Sequence, residues 1–267
     1  MGTCRLASGL ALVGIYVLFV VSCNPGPIVD TPRPGSPGKA AAGPELTLDP
    51  STTSTLSGTV TLDGTPPPPR LINMSADPAC QQMHPKPLSY ADVVTGPNEG
   101  LADVAIYIRS GLGNYHFEAP ADAVRLNQQG CLYSPVVLAL MVGQRLELHN
   151  SDTTYHNVHS ISRIDASWNE TDPPGVSVFK VFAQPEFAIP IVCNVHPWMH
   201  SYVFVFDNPY FAVTDASGKF AWRNLPPGTY KIEAWHQRYG MLDQSLTVAP
   251  NTSPSISFVY HADSAPH

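Results

Sequence analysis

Prolines interrupt this sequence so often that little room is left for long helices. The chain contains 28 prolines and 19 glycines, and the runs between them are short and rich in Val, Ile, Tyr, Phe and Thr. Proline breaks helices, whereas β-branched and aromatic residues favour strands, so this pattern predicts an all-β protein. Hydrophobic residues make up 43% of the chain, which is enough for a folded core and excludes full disorder.

The charge of the chain argues against a nucleic-acid partner. Lys and Arg number 14 against 21 Asp and Glu, which gives a net charge of −7. Binding to a phosphate backbone needs clustered cations, so we expect no nucleic-acid binding. The sequence also lacks a nucleophile elbow, a His-Glu-x-x-His motif, a phosphate loop and a dinucleotide fingerprint. We therefore expect a protein that is not an enzyme.

The N-terminal segment has the pattern of an export signal. Residues 6–22 are uncharged and follow Arg5, as in the apolar region of a signal peptide. They end in Val-Val-Ser before Cys23, which resembles a bacterial lipobox. We predict a signal peptide over residues 1–22, lipidation of Cys23, and anchoring to a bacterial membrane on its periplasmic or cell-envelope side. An uncleaved anchor or ordinary cleavage is the alternative. Residues 23–55 are predicted as a Pro-rich linker.

Three cysteines remain in the exported body, and an odd number in an oxidising compartment needs an explanation. The simplest one pairs Cys80 with Cys131 in a disulfide and leaves Cys193 free for chemistry. In the alternative, Cys80 and Cys131 are both reduced or are ligands of another metal.

A soft set of metal ligands follows a predicted strand. Apolar residues alternate from Phe187 through Ile191, which predicts a strand whose buried face ends in Cys193. The chain then continues as Cys-x2-His-x2-Met to His196 and Met199. A thiolate, an imidazole and a thioether on one loop suit copper in both oxidation states. The alternative is a buried thiol and a methionine that only fills the core.

A second motif lies upstream, with Asn150-x-Asp152 followed by His156-Asn157-Val158. Together with the Cys193 loop, it resembles the cupredoxins, the plastocyanin- and amicyanin-like blue-copper proteins, over about residues 122–208. The resemblance implies a Greek-key β-sandwich that holds one copper ion, Cu(I) or Cu(II). It carries over His156, Cys193, His196 and Met199 as the ligands. His159 is an alternative to His156, since in an extended segment the two point to opposite faces.

The same resemblance implies the functions of further residues. Asn157 is expected to brace the loops by hydrogen bonds, and Pro197 and Trp198 to form an apolar electron port around His196. The expected function is single-electron transfer between redox protein partners. The rivals are copper trafficking without redox turnover and a β-sandwich module that binds a glycan or a protein partner. An enzyme would need a second metal, for which the spare histidines are His84, His149, His159 and His200.

A second module flanks this unit. A Gly-Thr-Val strand at residues 58–62, a turn at 215–220 and later strand patterns resemble the carboxypeptidase-regulatory-like, transthyretin-type β-sandwich. The order resembles bacterial exported proteins labelled methylamine-utilisation or rhamnogalacturonan-lyase-domain proteins. We predict a split Ig/transthyretin-like sandwich at 56–110 and 209–262, a cupredoxin domain at 111–208 and a tail at 263–267. Glycan stacking on Trp222, Trp235 and Tyr239 is an alternative to the favoured core packing.

Overall fold

The computed structural model describes residues 46–264, and strands dominate them, as the proline pattern predicts. The strands are, in chain order, β1 (Ser54–Asp63), β2 (Ala105–Ser110), β3 (Val124–Gln128), β4 (Tyr133–Ser134), β5 (Val137–Met141), β6 (Arg145–Asn150), β7 (His156–Ser160), β8 (Trp168–Asp172), β9 (Ser177–Val181), β10 (Glu186–Val192), β11 (His200–Phe206), β12 (Phe211–Val213), β13 (Lys219–Leu225), β14 (Gly228–His236), β15 (Gly240–Val248) and β16 (Ser255–His261). The helices are short, namely α1 (Pro78–Met83) and a 3-10 turn (Pro97–Glu99).

The predicted signal peptide, the lipidation site Cys23 and the linker up to residue 45 lie outside the described residues. Within residues 46–264, no helix has the length and apolar character needed to span a membrane.

The middle of the chain forms a sandwich of two sheets, with strand orders β5-β11-β10-β7-β8 and β4-β3-β6-β9. Alternate residues of both sheets point into a shared core, as expected for strands with one buried face. Its fully buried members include Leu126, Leu140, Leu146, Leu148, Val158, Ile189, Ile191, Val203 and Val205. We call this unit the central sandwich.

Strands from both ends of the described chain form a second sandwich, with orders β13-β1-β16 and β12-β2-β14-β15. β1 pairs with β13 and β16, and β2 pairs with β12 and β14, so N-terminal and C-terminal strands share both sheets. We call this unit the flanking sandwich. The exact bounds of the two predicted domains remain a prediction.

The two sandwiches are joined by strands that are buried on both faces. In β11, Val203 and Val205 face the central core, whereas Phe204 and Phe206 face Tyr107 of β2. Tyr107, Phe204 and Phe206 are all at most 2% exposed. This aromatic layer explains why β2 lacks the alternation expected of a half-exposed strand.

Phe187 corrects the predicted register of β10. The sequence places it on the core face with Ile189 and Ile191, but it is 36% exposed and stacks on Tyr107 at 5.0 Å. Ala188 adopts a left-handed backbone with φ of 51°, and the pairing with β11 shifts between Glu186 and Ile189. This bulge turns Phe187 out of the core.

The first part of the segment between β1 and β2 packs on the central sandwich, whereas Leu101 and Val104 at its end belong to the flanking core. Ile72, Met74 and Cys80 are buried in the same cluster as Cys193 and Trp198. The range 56–110 thus contributes to both sandwiches, and its inserted part brings α1 to the loop that carries the predicted ligands.

Candidate metal centre

The predicted ligands converge because three strands meet at one end of the central sandwich. Val192, the last residue of β10, pairs with His159 of β7 and with His200 of β11. Residues 193–199 are therefore a tight loop between two paired strands, beside the start of β7. Backbone hydrogen bonds from Cys193 N to Met199 O (3.2 Å) and from Met199 N to His196 O (2.9 Å) close this loop.

Three potential ligand atoms lie together in the core. His156 Nδ1 is 2.9 Å from His196 Nδ1, and Cys193 Sγ is 3.7 Å from His196 Nδ1. The three side chains form a cluster whose ligand atoms all lie within 4.8 Å of one another. None of the three residues is more than 3% exposed. Met199 is buried in the same core, and its function as an axial ligand remains a prediction.

Each histidine contacts a carboxylate through Nε2, the ring nitrogen that points away from the other histidine. His156 Nε2 lies 2.8 Å from Asp152 Oδ2, and His196 Nε2 lies 2.9 Å from Asp77 Oδ2. A carboxylate accepts a hydrogen bond from the nitrogen that it faces, so each ring in its neutral form carries its proton on Nε2 and keeps a lone pair on Nδ1. This carboxylate–histidine arrangement is the one that orients imidazoles toward metals.

The two Nδ1 lone pairs therefore face each other at 2.9 Å, beside a thiol. Such an arrangement is repulsive unless a cation or a proton lies between the nitrogens. Two imidazoles and one thiolate are the equatorial donors of electron-transfer copper sites, so the residues fit a copper ion.

Hydrogen bonds favour the thiolate form of Cys193. Burial raises its pKa, but hydrogen bonds from His156 and from the backbone of Asn157, His196 and Val195 outweigh burial and lower the pKa to about 6. Burial likewise lowers the pKa of His156, but the hydrogen bonds with Asp152 and Cys193 raise it above its ordinary value. In the metal-free protein, these shifts favour a thiolate on Cys193 beside a protonated imidazole on His156, and the two opposite charges stabilise each other.

Asn157 makes the bracing contacts expected of it. Its Oδ1 accepts a hydrogen bond from Asn194 N at 2.7 Å and lies 3.3 Å from Cys193 Sγ. The side chain thus links the start of β7 to the ligand loop. Tyr133 donates a hydrogen bond to the carbonyl oxygen of Asn157 and supports the same strand from the opposite sheet.

The structure contains the disulfide between Cys80 and Cys131, with a Cα–Cα distance of 5.6 Å. Among the described residues, Cys193 is the free cysteine, and it is buried. Cys80 Sγ is 3.5 Å from His196 Nε2, so the disulfide directly borders the candidate metal centre.

The prediction that Trp198 forms part of an exposed electron port is wrong. Pro197 is exposed, but Trp198 is only 6% exposed and donates its Nε1 hydrogen to Cys131 O at 2.9 Å. The outer edge of His196 is covered by Asp77 and Cys80. The inserted segment that carries α1 occupies the place where an exposed apolar patch was expected.

The spare histidines have other partners. None of them belongs to a cluster of three potential ligands among residues 46–264. Their ring nitrogens contact Gly130 O for His84, Ser177 Oγ for His149, Asn194 Oδ1 for His159 and Trp198 O for His200. Two of the candidate sugar-stacking residues, Trp222 and Tyr239, are each 3% exposed and belong to the flanking core.

Sequence reasoning missed both carboxylates that hold the histidines. Asp152 stands four residues before His156, in the Asn-x-Asp motif, so a local signal for it existed. Asp77 lies 119 positions from His196, and no local pattern connects the two.

Comparisons with known proteins give partial similarities. No protein-family model and no curated protein matches the sequence. Among solved structures, the chain is similar to a copper-containing nitrite reductase from Thermus scotoductus SA-01, with 19% identity, a TM-score of 0.31 and coverage of 39% of this chain and 26% of that one. It is also similar to amicyanin from Paracoccus versutus, with 22% identity, a TM-score of 0.29 and coverage of 38% and 96%.

A purple cupredoxin from Nitrosopumilus maritimus shows 25% identity and a TM-score of 0.27, over 32% of this chain and 99% of that one. The chain thus spans about a quarter of the nitrite reductase and nearly all of the two smaller proteins. These TM-scores are too low to support a conclusion about function, so that conclusion rests on the geometry of the site. Fold and site together define an all-β protein with a buried thiol–imidazole centre.

Proposed function

We propose that the chain binds one copper ion through His156, Cys193, His196 and Met199 and carries single electrons between redox protein partners. One observation carries this proposal. Two imidazole Nδ1 atoms face each other at 2.9 Å beside a thiol, while a carboxylate holds the Nε2 atom of each ring. A donor set of this composition suits copper in both oxidation states.

The residues around the proposed ligands fix their positions and exclude water from them. The ligand loop is closed by backbone hydrogen bonds and braced by Asn157, and all three clustered ligands are buried. When bound, copper supplies one-electron exchange between Cu(I) and Cu(II). Because the imidazole rings are fixed from behind by Asp77 and Asp152, the ligands have little freedom to rearrange between the two states.

The N-terminal pattern supports a location for this function. A lipidated Cys23 and a Pro-rich linker would hold the folded body at the periplasmic or cell-envelope face of a bacterial membrane. The redox partner and the location are parts of the proposal, as is the absence of an enzymatic activity.

The test is the visible absorption and electron paramagnetic resonance spectrum of the full chain after Cu(II) addition and desalting. We expect an intense thiolate-to-copper band that ascorbate bleaches and that air or ferricyanide restores. Cys193→Ala should lack the band. His149→Ala is the matched control, because His149 contacts Ser177 on a strand of the other sheet, and it should keep the band. A chain that retains no copper would exclude this function.

The rival, copper trafficking without redox turnover, uses the same ligands and differs in copper exchange. The covered edge of His196 favours a retained ion over one that is passed on. Rapid loss of Cu(I) to a chelator, combined with no reversible redox cycle, would support the rival.

A further inference from the structure

The Cys80–Cys131 disulfide joins the two carboxylates that hold the histidines. Cys80 N donates a hydrogen bond to Asp77 Oδ1 at 3.1 Å, and Asp77 Oδ2 holds His196. Cys131 N donates to Asp152 Oδ2 at 2.7 Å, and the same oxygen holds His156. Each half of the disulfide therefore fixes one carboxylate–histidine pair.

The two pairs differ in how firmly they are held without the disulfide. Asp152 also accepts a hydrogen bond from Gly130 N at 2.5 Å, and it is buried within the central sandwich. Gly130 and Cys131 have left-handed φ values of 63° and 54°, which aim two successive N–H groups at one carboxylate. This side of the centre is part of the folded core.

Asp77 belongs to a segment with much weaker support. It caps α1, a helix of six residues, through hydrogen bonds from Ala79 N and Cys80 N. Cys80 is the one buried residue of α1. A helix this short is not stable by itself, and the bond from Cys80 to Cys131 is the covalent attachment that holds it over His196, between the core contact of Met74 and the contact of His84 with Gly130 O. We call residues 77–83 the cover segment.

We propose that the Cys80–Cys131 disulfide controls access to the metal centre. When oxidised, it keeps the cover segment on His196, with Asp77 as a positioning residue, and copper enters and leaves slowly. When a dithiol reduces it, the cover segment leaves His196 and copper enters and leaves faster. This inference rests on the proposed copper function and adds a thiol-dependent step of metal loading and release.

The reaction is a thiol–disulfide exchange with a simple balance. The bond between the two sulfur atoms breaks, and each sulfur becomes a thiol. Two electrons and two protons come from the dithiol, which closes its own disulfide. The copper ion keeps its oxidation state throughout, because its release is a ligand exchange.

The experiment measures the release of Cu(I) from the full chain to excess bathocuproine disulfonate. Metal-free protein is divided into an untreated sample and one reduced with dithiothreitol and desalted without oxygen, and thiols are counted in both. Both samples are then loaded with Cu(I), so the oxidation state of the metal is the same. We expect release to be about tenfold or more faster from the reduced sample, the scale on which outer partners of ligands affect metal binding.

Variants distinguish an effect of the cover segment on copper release from an effect of a general loss of stability. Cys80→Ser/Cys131→Ser should release copper at the fast rate with or without dithiothreitol. Asp77→Asn keeps the disulfide, and it should release copper faster than the unaltered chain while still responding to reduction. Ile232→Val lowers stability within the flanking core and should release copper at the unaltered, slow rate.

A readout without metal tests the movement itself. Hydrogen exchange of the amides of residues 77–83 should accelerate on reduction of the metal-free protein, whereas the amides of β14 and β16 should stay protected. Equal release rates in the two samples, or a cover segment that stays protected after reduction, would overturn this inference while leaving the copper function intact. A chain that binds no copper in either sample would overturn both.

Discussion

Asp77 and His196 lie 119 positions apart in the sequence, yet a carboxylate oxygen of Asp77 is 2.9 Å from the Nε2 atom of His196. The contact covers the edge of the imidazole that the family resemblance led us to expect at the surface. It also lowers the pKa of Asp77, chiefly through the hydrogen bond from His196. An anionic partner on a proposed ligand is positioned to influence the charge state of a metal held there.

Replacing Asp77 with asparagine should raise the reduction potential of the proposed copper centre. A carboxylate behind the ring makes the imidazole a stronger donor and favours Cu(II), which carries the higher charge. If the change weakens Cu(II) binding about tenfold relative to Cu(I), the potential rises by about 59 mV. Redox titration of the visible band measures this shift.

Asp215→Asn is the matched control for this shift. Asp215 accepts hydrogen bonds from Ser217 in an exposed turn before β13 of the flanking sandwich, so its replacement should leave the potential unchanged. A potential that is the same in Asp77→Asn and in the unaltered chain would show that Asp77 does not act on the metal.

His156→Ala should abolish the thiolate-to-copper band, whereas His159→Ala should keep it. His156 is 1% exposed and faces His196, while His159 lies on the same strand and contacts Asn194. The comparison decides between the two histidines that the sequence left open. Absorption spectra after copper addition are sufficient, and a band in His156→Ala with none in His159→Ala would reverse the assignment.

Local patterns explain how much of this centre the sequence could predict. The strand before Cys193 and the spacing to His196 are short-range features, and the pairing of β10 with β7 and β11 brings them together as expected. The bulge at Ala188 could not be read from alternation, because one left-handed residue shifts every side chain before it.

The covered edge of His196 was not predictable for a different reason. It depends on an insertion between β1 and β2 that packs on the other sandwich, a long-range contact without a local signature. The prediction of an exposed port around Trp198 came from the resemblance alone, and resembled proteins need not share this insertion.

Phe204→Ala should destabilise the protein by about 3–5 kcal/mol, the usual loss for a fully buried phenylalanine. Phe204 is 0% exposed and packs against Tyr107 and Trp235 of the flanking sandwich. Because β11 also begins at the end of the ligand loop, we expect both sandwiches to unfold in one transition. Urea unfolding followed by tryptophan fluorescence and by circular dichroism tests this.

Phe187→Ala serves as the comparison, since Phe187 joins the same aromatic layer but is 36% exposed. Its loss should be clearly smaller. Equal losses in the two variants, or separate transitions for the two sandwiches, would contradict the view that the buried aromatic layer couples them.

His236 should make the metal-free protein less stable in mild acid. It is 1% exposed, its Nδ1 accepts a hydrogen bond from Arg238 N at 3.1 Å, and its Nε2 has no hydrogen-bond partner among the described residues. Burial, with a smaller contribution from Arg238, lowers its pKa from 6.5 to about 4. Between these values the unfolded chain binds a proton that the folded chain does not, so stability falls as the pH drops from 6.5 toward 4.

His236→Phe should remove this part of the acid sensitivity. The aromatic ring keeps the contacts with Tyr239 and Tyr260, but the hydrogen bond from Arg238 is lost, so the variant starts about 1 kcal/mol less stable at neutral pH. The loss of stability between pH 7 and pH 4.5 should then be smaller than in the unaltered chain by about 2 kcal/mol. Urea unfolding of the metal-free proteins at the two pH values measures the difference. A loss of stability in His236→Phe equal to that of the unaltered chain between these pH values would show that His236 titrates normally in the folded state.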